Sequence, residues 1–146
     1  KEIEMRCMVI VKATEDSEAD VMPSEKDLGD MGSFNEELVN AGVMLDGDGL
    51  KSSRHGVRIT YSGDEAQVTD GPFSETKELI AGYWVWEVKS LEEAIEWARR
   101  IPFHHGESVE IRPFHELEDF GEAVTDEFRE RQARMEATIE EQKRDA

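Results

Sequence analysis

Four ionisable side chains crowd into the ten-residue stretch TDGPFSETKE at 69–78: Asp70, Glu75, Lys77 and Glu78. An aspartate set beside a lysine and a glutamate in a cleft can move a proton, provided burial lifts its pKa toward neutrality. On that chemistry Asp70 is the candidate acid or base, Lys77 polarises an oxygen, Glu78 orients the group, and Glu75 is a ligand contact. The residues DGPF have mechanical reasons to be there. An Asp accepts hydrogen bonds from backbone amides ahead of it in a turn, Pro72 keeps Gly71 out of helical geometry, and Phe73 is expected to anchor the turn in the core. ETKE has no such explanation, so the chemistry is placed there, with Asp70 serving both roles.

The remaining reactive residue types form no pattern. His55, His104, His105 and His115 make neither a helical HxxxH pair nor a Cys/His cluster, so no metal site is expected. His104 and His105 follow Pro102 at a helix exit, where a cation suits the helix dipole. Cys7, the single cysteine, lies in the apolar run CMVIV and reads as a buried, inert thiol. The chain has no P-loop, no GxGxxG and no GxSxG elbow, so no cofactor is expected; Trp84, Trp86 and Trp97 read as core.

Composition narrows the partners. The 146 residues suffice for one proper core, and 35 acidic against 17 basic residues give a formal charge of −18. That field repels phosphate backbones and anionic lipid, so neither a nucleic acid nor a membrane is the expected partner. The sequence KEIEMRCMVIV lacks the features of a signal peptide, and LIAGYWVW is far too short to cross a bilayer, so a cytoplasmic location is expected.

These residues must be positioned by a few elements. MRCMVIVK at 5–12 reads as a strand, followed by a polar loop, ATEDSEADVMP. Ser24 with Asp27 three residues on opens a helix over 24–41, with Leu28, Met31, Phe34, Leu38 and Ala41 at helical spacing and Gly42 as the stop. VMLDGDGLKSS reads as loop with a short edge strand at its start. HGVRITY and EAQVTD flank an SGDE turn in which Gly63 takes a positive φ. LIAGYWVWEV is the most apolar strand; Ser90 and Glu93 form a capping box that opens a helix ended by Pro102, and SVEIRPF is the last strand. A charged helix runs from about residue 116, with Leu117, Phe120, Val124, Phe128, Met135 and Ile139 marking an apolar seam. The order β-α-β-β-β-α-β plus a C-terminal helix predicts an α+β sandwich of the split βαβ, ferredoxin-like type. The predicted organisation is a domain over 1–115 and a helical extension over 116–146.

Strand faces bear on assembly. At 80–88 one face carries Ala81, Tyr83 and Val85 and the other Ile80, Trp84, Trp86 and Val88, so both are apolar. Two core helices cover only one face. An uncovered face with two tryptophans would be a large apolar patch, which predicts a homodimer through sheet faces. The alternative is a C-terminal helix folded over the sheet within one chain. In the outer strands Arg58 and Arg112 oppose the apolar positions, so they are expected to line the inter-sheet space and receive an anionic or carbonyl-bearing small molecule.

VTDGPFSETKELIAGYWVWEV, SLEEAIEWARRIP and SVEIRPF together resemble the DGPF branch of the YCII-related family, over about residues 5–115. The resemblance implies a dimeric α+β barrel, in which ferredoxin-like subunits face each other across a two-fold axis. It implies a small bacterial protein of unassigned function, some relatives being associated with sigma factors. Asp70, Gly71, Pro72, Phe73, Glu75, Thr76, Lys77 and Glu78 match the DGPF pattern. The His-Asp pair of other superfamily members has no histidine to match it in the first strand-helix stretch. The resemblance thus favours a small-molecule cleft, with cofactor-free acid-base chemistry of isomerase or lyase type if there is catalysis. The alternative is a non-catalytic sensor or regulatory partner, for example one linked to sigma-factor regulation.

Overall fold

Residues 4–146 are described by the computed structural model. In chain order the first elements are β1 (Met5–Lys12), α1 (Glu15–Glu18), α2 (Glu25–Asn40), β2 (Met44–Gly49), β3 (Val57–Ser62) and β4 (Glu65–Asp70). They are followed by β5 (Ile80–Val88), α3 (Leu91–Ala98), β6 (Val109–Pro113) and α4 (Asp126–Asp145). Two compact units result, one ending at Phe114 and the other spanning His115–Ala146.

The first unit is built on a four-stranded antiparallel sheet in the order β2-β5-β1-β6. With α2 between β1 and β2, and α3 between β5 and β6, this is the ferredoxin-like βαββαβ arrangement. The two longest apolar runs, β1 and β5, take the central places, where neighbours on both sides satisfy their backbone groups. Cys7 pairs with Trp86 and Val9 with Trp84, and these four pack with Val88, Phe34 and Leu38 of α2 and Ala94 of α3 in one buried cluster. The opposite face carries Met8 beside Val85 and Ile10 beside Tyr83. The tryptophans therefore lie on the face covered by α2 and α3, and the apolar residues of the opposite face are Met8, Ile10, Tyr83 and Val85.

Caps set the helix ends. Ser24 Oγ accepts the Asp27 amide at 3.0 Å, and Ser90 Oγ accepts the Glu93 amide at 3.1 Å. Glu93 closes its side of the box one residue early, accepting from the Lys89 amide at 2.7 Å. The last turn of α3 tightens: Arg100 and Ile101 donate to the carbonyls of Trp97 and Ala98, so the regular helix stops at Ala98, short of Pro102. Within the polar loop after β1, Thr14 and Ser17 form a reciprocal capping box that starts α1.

Three sequence expectations are corrected. The edge strand expected at the start of VMLDGDGLKSS is present, but it runs through MLDGDG to Gly49 where loop was expected. A Cβ at Gly47 would come within 2.9 Å of the Trp84 ring, so this glycine permits close strand packing instead of marking a turn. The strands β3 and β4 lie outside the main sheet, in a separate two-stranded hairpin inserted between β2 and β5, with Gly63 at φ +62° in its turn. In the second unit, Leu117–Ala123 is a tight 3₁₀ stretch broken at Gly121 (φ +59°), and Val124 is extended. The helix α4 starts at Asp126, where Thr125 Oγ1 accepts the Phe128 amide at 3.1 Å. Leu117, Phe120 and Val124 thus precede the helix, whose exposed apolar residues are Phe128, Met135 and Ile139.

Candidate functional site

The DGPF turn is fixed from outside by Ser53. Its amide donates to Glu18 Oε2 at 2.8 Å, its hydroxyl donates to Glu18 Oε1, and its Oγ accepts the Phe73 amide at 3.0 Å. Gly71 donates to the Gly56 carbonyl at 3.0 Å, and the Gly71–Pro72 peptide is cis. A Cβ at Gly71 would lie 1.8 Å from the Ser53 carbonyl oxygen, so backbone contact alone requires glycine. Phe73 is half-buried and sits under the Arg58 guanidinium at 3.8 Å, a cation–π contact on the hairpin side rather than an anchor in the main core. Around this rigid turn Asp70, Glu75, Lys77 and Glu78 are exposed, the last two in a single 3₁₀ turn leading into β5.

Arg112 lies elsewhere. It pairs with Met8 in the sheet, whereas β5 begins opposite Lys12, four residues and about 13 Å further along β1. Its guanidinium stands 3.9 Å from Glu110 and is largely exposed. The six sequence-predicted residues therefore divide: Asp70, Glu75, Lys77, Glu78 and Arg58 cluster about the DGPF turn, and Arg112 stands apart on the sheet.

A pocket of about 370 Å³ opens instead between α2, β2 and β5. Met31, Met44, Val11, Trp84 and Phe103 form its apolar wall, and none of the six residues lines it. Trp84 is held by three aromatic contacts, with ring centroids 6.1 Å from Phe34, 5.7 Å from Trp86 and 6.4 Å from Phe103. Its Nε1–H donates to Asn35 Oδ1 at 2.9 Å. The Asn35 amide nitrogen and the backbone of the Gly47–Gly49 edge supply the polar groups, while the Asp48 side chain, paired with Tyr83, belongs to the other face of the sheet. Tyr83, whose ring lies on the opposite face of the sheet, has its hydroxyl 3.4 Å from Asp46 Oδ2, and the charge of Asp46 raises the phenol's pKa. This is a small, mostly apolar cavity with a few fixed polar groups, the usual make-up of an organic-ligand site. The signal in the sequence was Asn35, four residues after Met31 and three before Leu38, an amide set on an apolar helical stripe.

A second arrangement joins residues far apart in the chain. His104 Nε2 lies 2.9 Å from Asp27 Oδ1, in the first turn of α2, and the His104 amide donates to Glu107. The bond to Asp27 raises the His104 pKa, and the same bond lowers that of Asp27. His104 thus partners a carboxylate on another helix instead of only completing the end of α3. The pair borders a recess of about 190 Å³ whose apolar wall includes Met31 and Phe103, which also line the larger pocket. A separation of 77 residues hides such a pair from motif reading. Cys7 is buried, and desolvation raises its thiol pKa, as an inert core thiol requires. Among the described residues no three His, Cys, Asp or Glu side chains form a metal-binding group, and no helix is long and apolar enough to cross a membrane.

The YCII-related domain pattern matches residues 5–118. An uncharacterised protein of Rhizobium meliloti is 31% identical over 91 residues, covering 61% of this chain and 73% of its own length.

Proposed function

Because the chain belongs to the YCII-related domain family, we propose that it binds a small, neutral, partly aromatic molecule in the pocket beneath α2, as one subunit of a dimeric α+β barrel. The observation that carries this reading is the Trp84–Phe103–Met31 wall with the Asn35 amide pinned by the Trp84 indole. Aromatic faces and thioethers favour a flat ligand, and the Asn35 amide nitrogen, left over from the bond to Trp84, favours one that accepts a hydrogen bond. Neither Arg58 nor Arg112 lines the pocket, so an anionic ligand has no counter-charge there from those two residues. The dimer is supported by Met8, Ile10, Tyr83 and Val85, which lie on the face that α2 and α3 leave uncovered. A thermal-shift screen of neutral aromatic amides tests the pocket. Hits are expected to raise the melting temperature of the natural chain and not of Met31→Trp, which fills the cavity; equal shifts in both chains refute the assignment.

Proton transfer at this site is the second reading, favoured by the His104–Asp27 pair beside the shared Met31–Phe103 wall. A histidine oriented by a carboxylate has one nitrogen free to take and return a proton, the requirement of cofactor-free isomerase or lyase chemistry. Asp70 with Lys77 and Glu78 is the competing acid-base group. With a turned-over ligand in hand, His104→Gln and Asp70→Asn separate the two: the residue that carries the step loses turnover while ligand binding is kept. If neither variant loses turnover, both assignments fail.

A further inference from the structure

The hairpin β3–β4 is the one part of the first unit whose twelve strand residues are all exposed. An isolated two-stranded hairpin is marginal in water and gains stability by packing its apolar side on something. Its register sorts the side chains cleanly. Ile59 faces Val68, Val57 faces Asp70 and Tyr61 faces Ala66 on one side; Arg58 faces Thr69 and Thr60 faces Gln67 on the other. The polar side is turned toward its own subunit, since Arg58 covers Phe73 of the DGPF turn. The apolar side therefore looks outward, with Val57 56%, Ile59 48%, Tyr61 76% and Val68 60% exposed.

We propose that this hairpin is a dimerisation arm whose apolar side packs on the uncovered sheet face of a second copy of the chain. The inference rests on the barrel dimer proposed above and identifies what supplies most of its contact. A stable interface buries about 800 Å² per partner. The sheet face has little apolar area left to give: Ile10 is 9% exposed, and Met8, Tyr83 and Val85 are half-buried. The four hairpin side chains contribute on the order of 450 Å², which closes most of the gap. Charge agrees. The tip of the hairpin carries Asp64 and Glu65. The bases of the sheet face, Arg6, Lys12 and Arg112, lie on its β1–β6 side with Glu110, while Glu87, Asp46 and Asp48 lie toward β5 and β2, so the acidic tip is matched to the β1–β6 side. A second copy presents both halves of this match, as a two-fold interface requires.

Sedimentation velocity of the full chain at low micromolar concentration tests the arm, with circular dichroism to check folding. The natural chain is expected to be dimeric, and the facing pair Ile59→Lys with Val68→Lys is expected to weaken dimerisation at least 100-fold. The pair Thr60→Lys with Gln67→Lys, adding the same charge on the other side, is expected to leave it within about threefold. Tyr61→Ser removes apolar area without adding charge and is expected to weaken the dimer about tenfold, which keeps the test valid if the double lysine variant misfolds. Val85→Arg addresses the sheet face. A dimer that survives the hairpin variants but is lost with Val85→Arg overturns the arm and keeps the sheet-face dimer; a monomeric natural chain overturns both.

Discussion

Replacing Gly71 with alanine places a methyl group 1.8 Å from the Ser53 carbonyl oxygen and 2.7 Å from its carbon, both backbone atoms that no rotamer change can clear. Ordinary contact begins near 3.4 Å, so the DGPF turn and the 53–56 segment must part by about 1.5 Å. That movement strains the backbone and breaks two hydrogen bonds, Gly71 to Gly56 and Phe73 to Ser53. Two bonds at about 1 kcal/mol each, with about 1–3 kcal/mol of overpacking strain, give a loss of roughly 3–5 kcal/mol. For a chain of this size each kcal/mol lowers the melting temperature by about 2–4 °C, so calorimetry is expected to show a fall of roughly 6–20 °C. Hydrogen exchange is expected to lose protection at the Phe73 amide. Gly29→Ala serves as a control, because Gly29 lies inside α2 with nothing within 4 Å of the added Cβ; it is expected to stabilise by about 0.5–1 kcal/mol. A Gly71→Ala chain within about 0.5 kcal/mol of the natural one, with Phe73 still protected, refutes the close-contact explanation of this glycine.

Ser53→Ala removes the hydroxyl shared by Glu18 and Phe73 and is expected to cost about 1–3 kcal/mol in urea unfolding, with the change in exchange confined to the DGPF turn. Asn35→Leu strands the Trp84 indole N–H beside the pocket and is expected to cost a similar, about 1–3 kcal/mol, with an altered Trp84 fluorescence maximum. The Asp27–His104 pair sets a pH window. The raised His104 pKa makes its contribution complete below the ordinary histidine range and lost as pH rises through the raised value. The lowered Asp27 pKa makes its contribution complete above the ordinary aspartate range and lost as pH falls through the lowered value. The melting temperature of His104→Gln is therefore expected to fall furthest below the natural chain's between those two ranges and to converge with it once pH has passed the raised histidine value; a pH-independent difference contradicts the pairing.

The sheet and its caps were readable because they depend on local pattern. Alternation in MRCMVIVK and LIAGYWVWEV identified the two central strands, and Ser24 and Ser90 each stood where a helix begins. What escaped depended on contacts distant in sequence. Gly47 and Gly49 made all but the start of β2 read as loop, although Gly47 is small because Trp84 lies against it. Periodicity gives two faces to a strand but does not say which one the helices choose, so the tryptophans were placed on the uncovered side. Pairing of β3 with β4 was evident from Gly63, while their separation from the main sheet had no local signal. For the site, charge density drew attention to ETKE, whereas the pocket gathers Met31, Asn35, Trp84 and Phe103 from three separate segments.

The proposed binding site is tested most directly by a ¹⁵N-labelled chain titrated with neutral aromatic amide fragments. Binding beneath α2 is expected to move the Trp84 indole N–H resonance together with the amides of Asn35 and Gly47–Gly49, leaving those of Asp70 and Lys77–Glu78 in place. Shifts confined to the DGPF turn, or no shift at Trp84 with any fragment, contradict it.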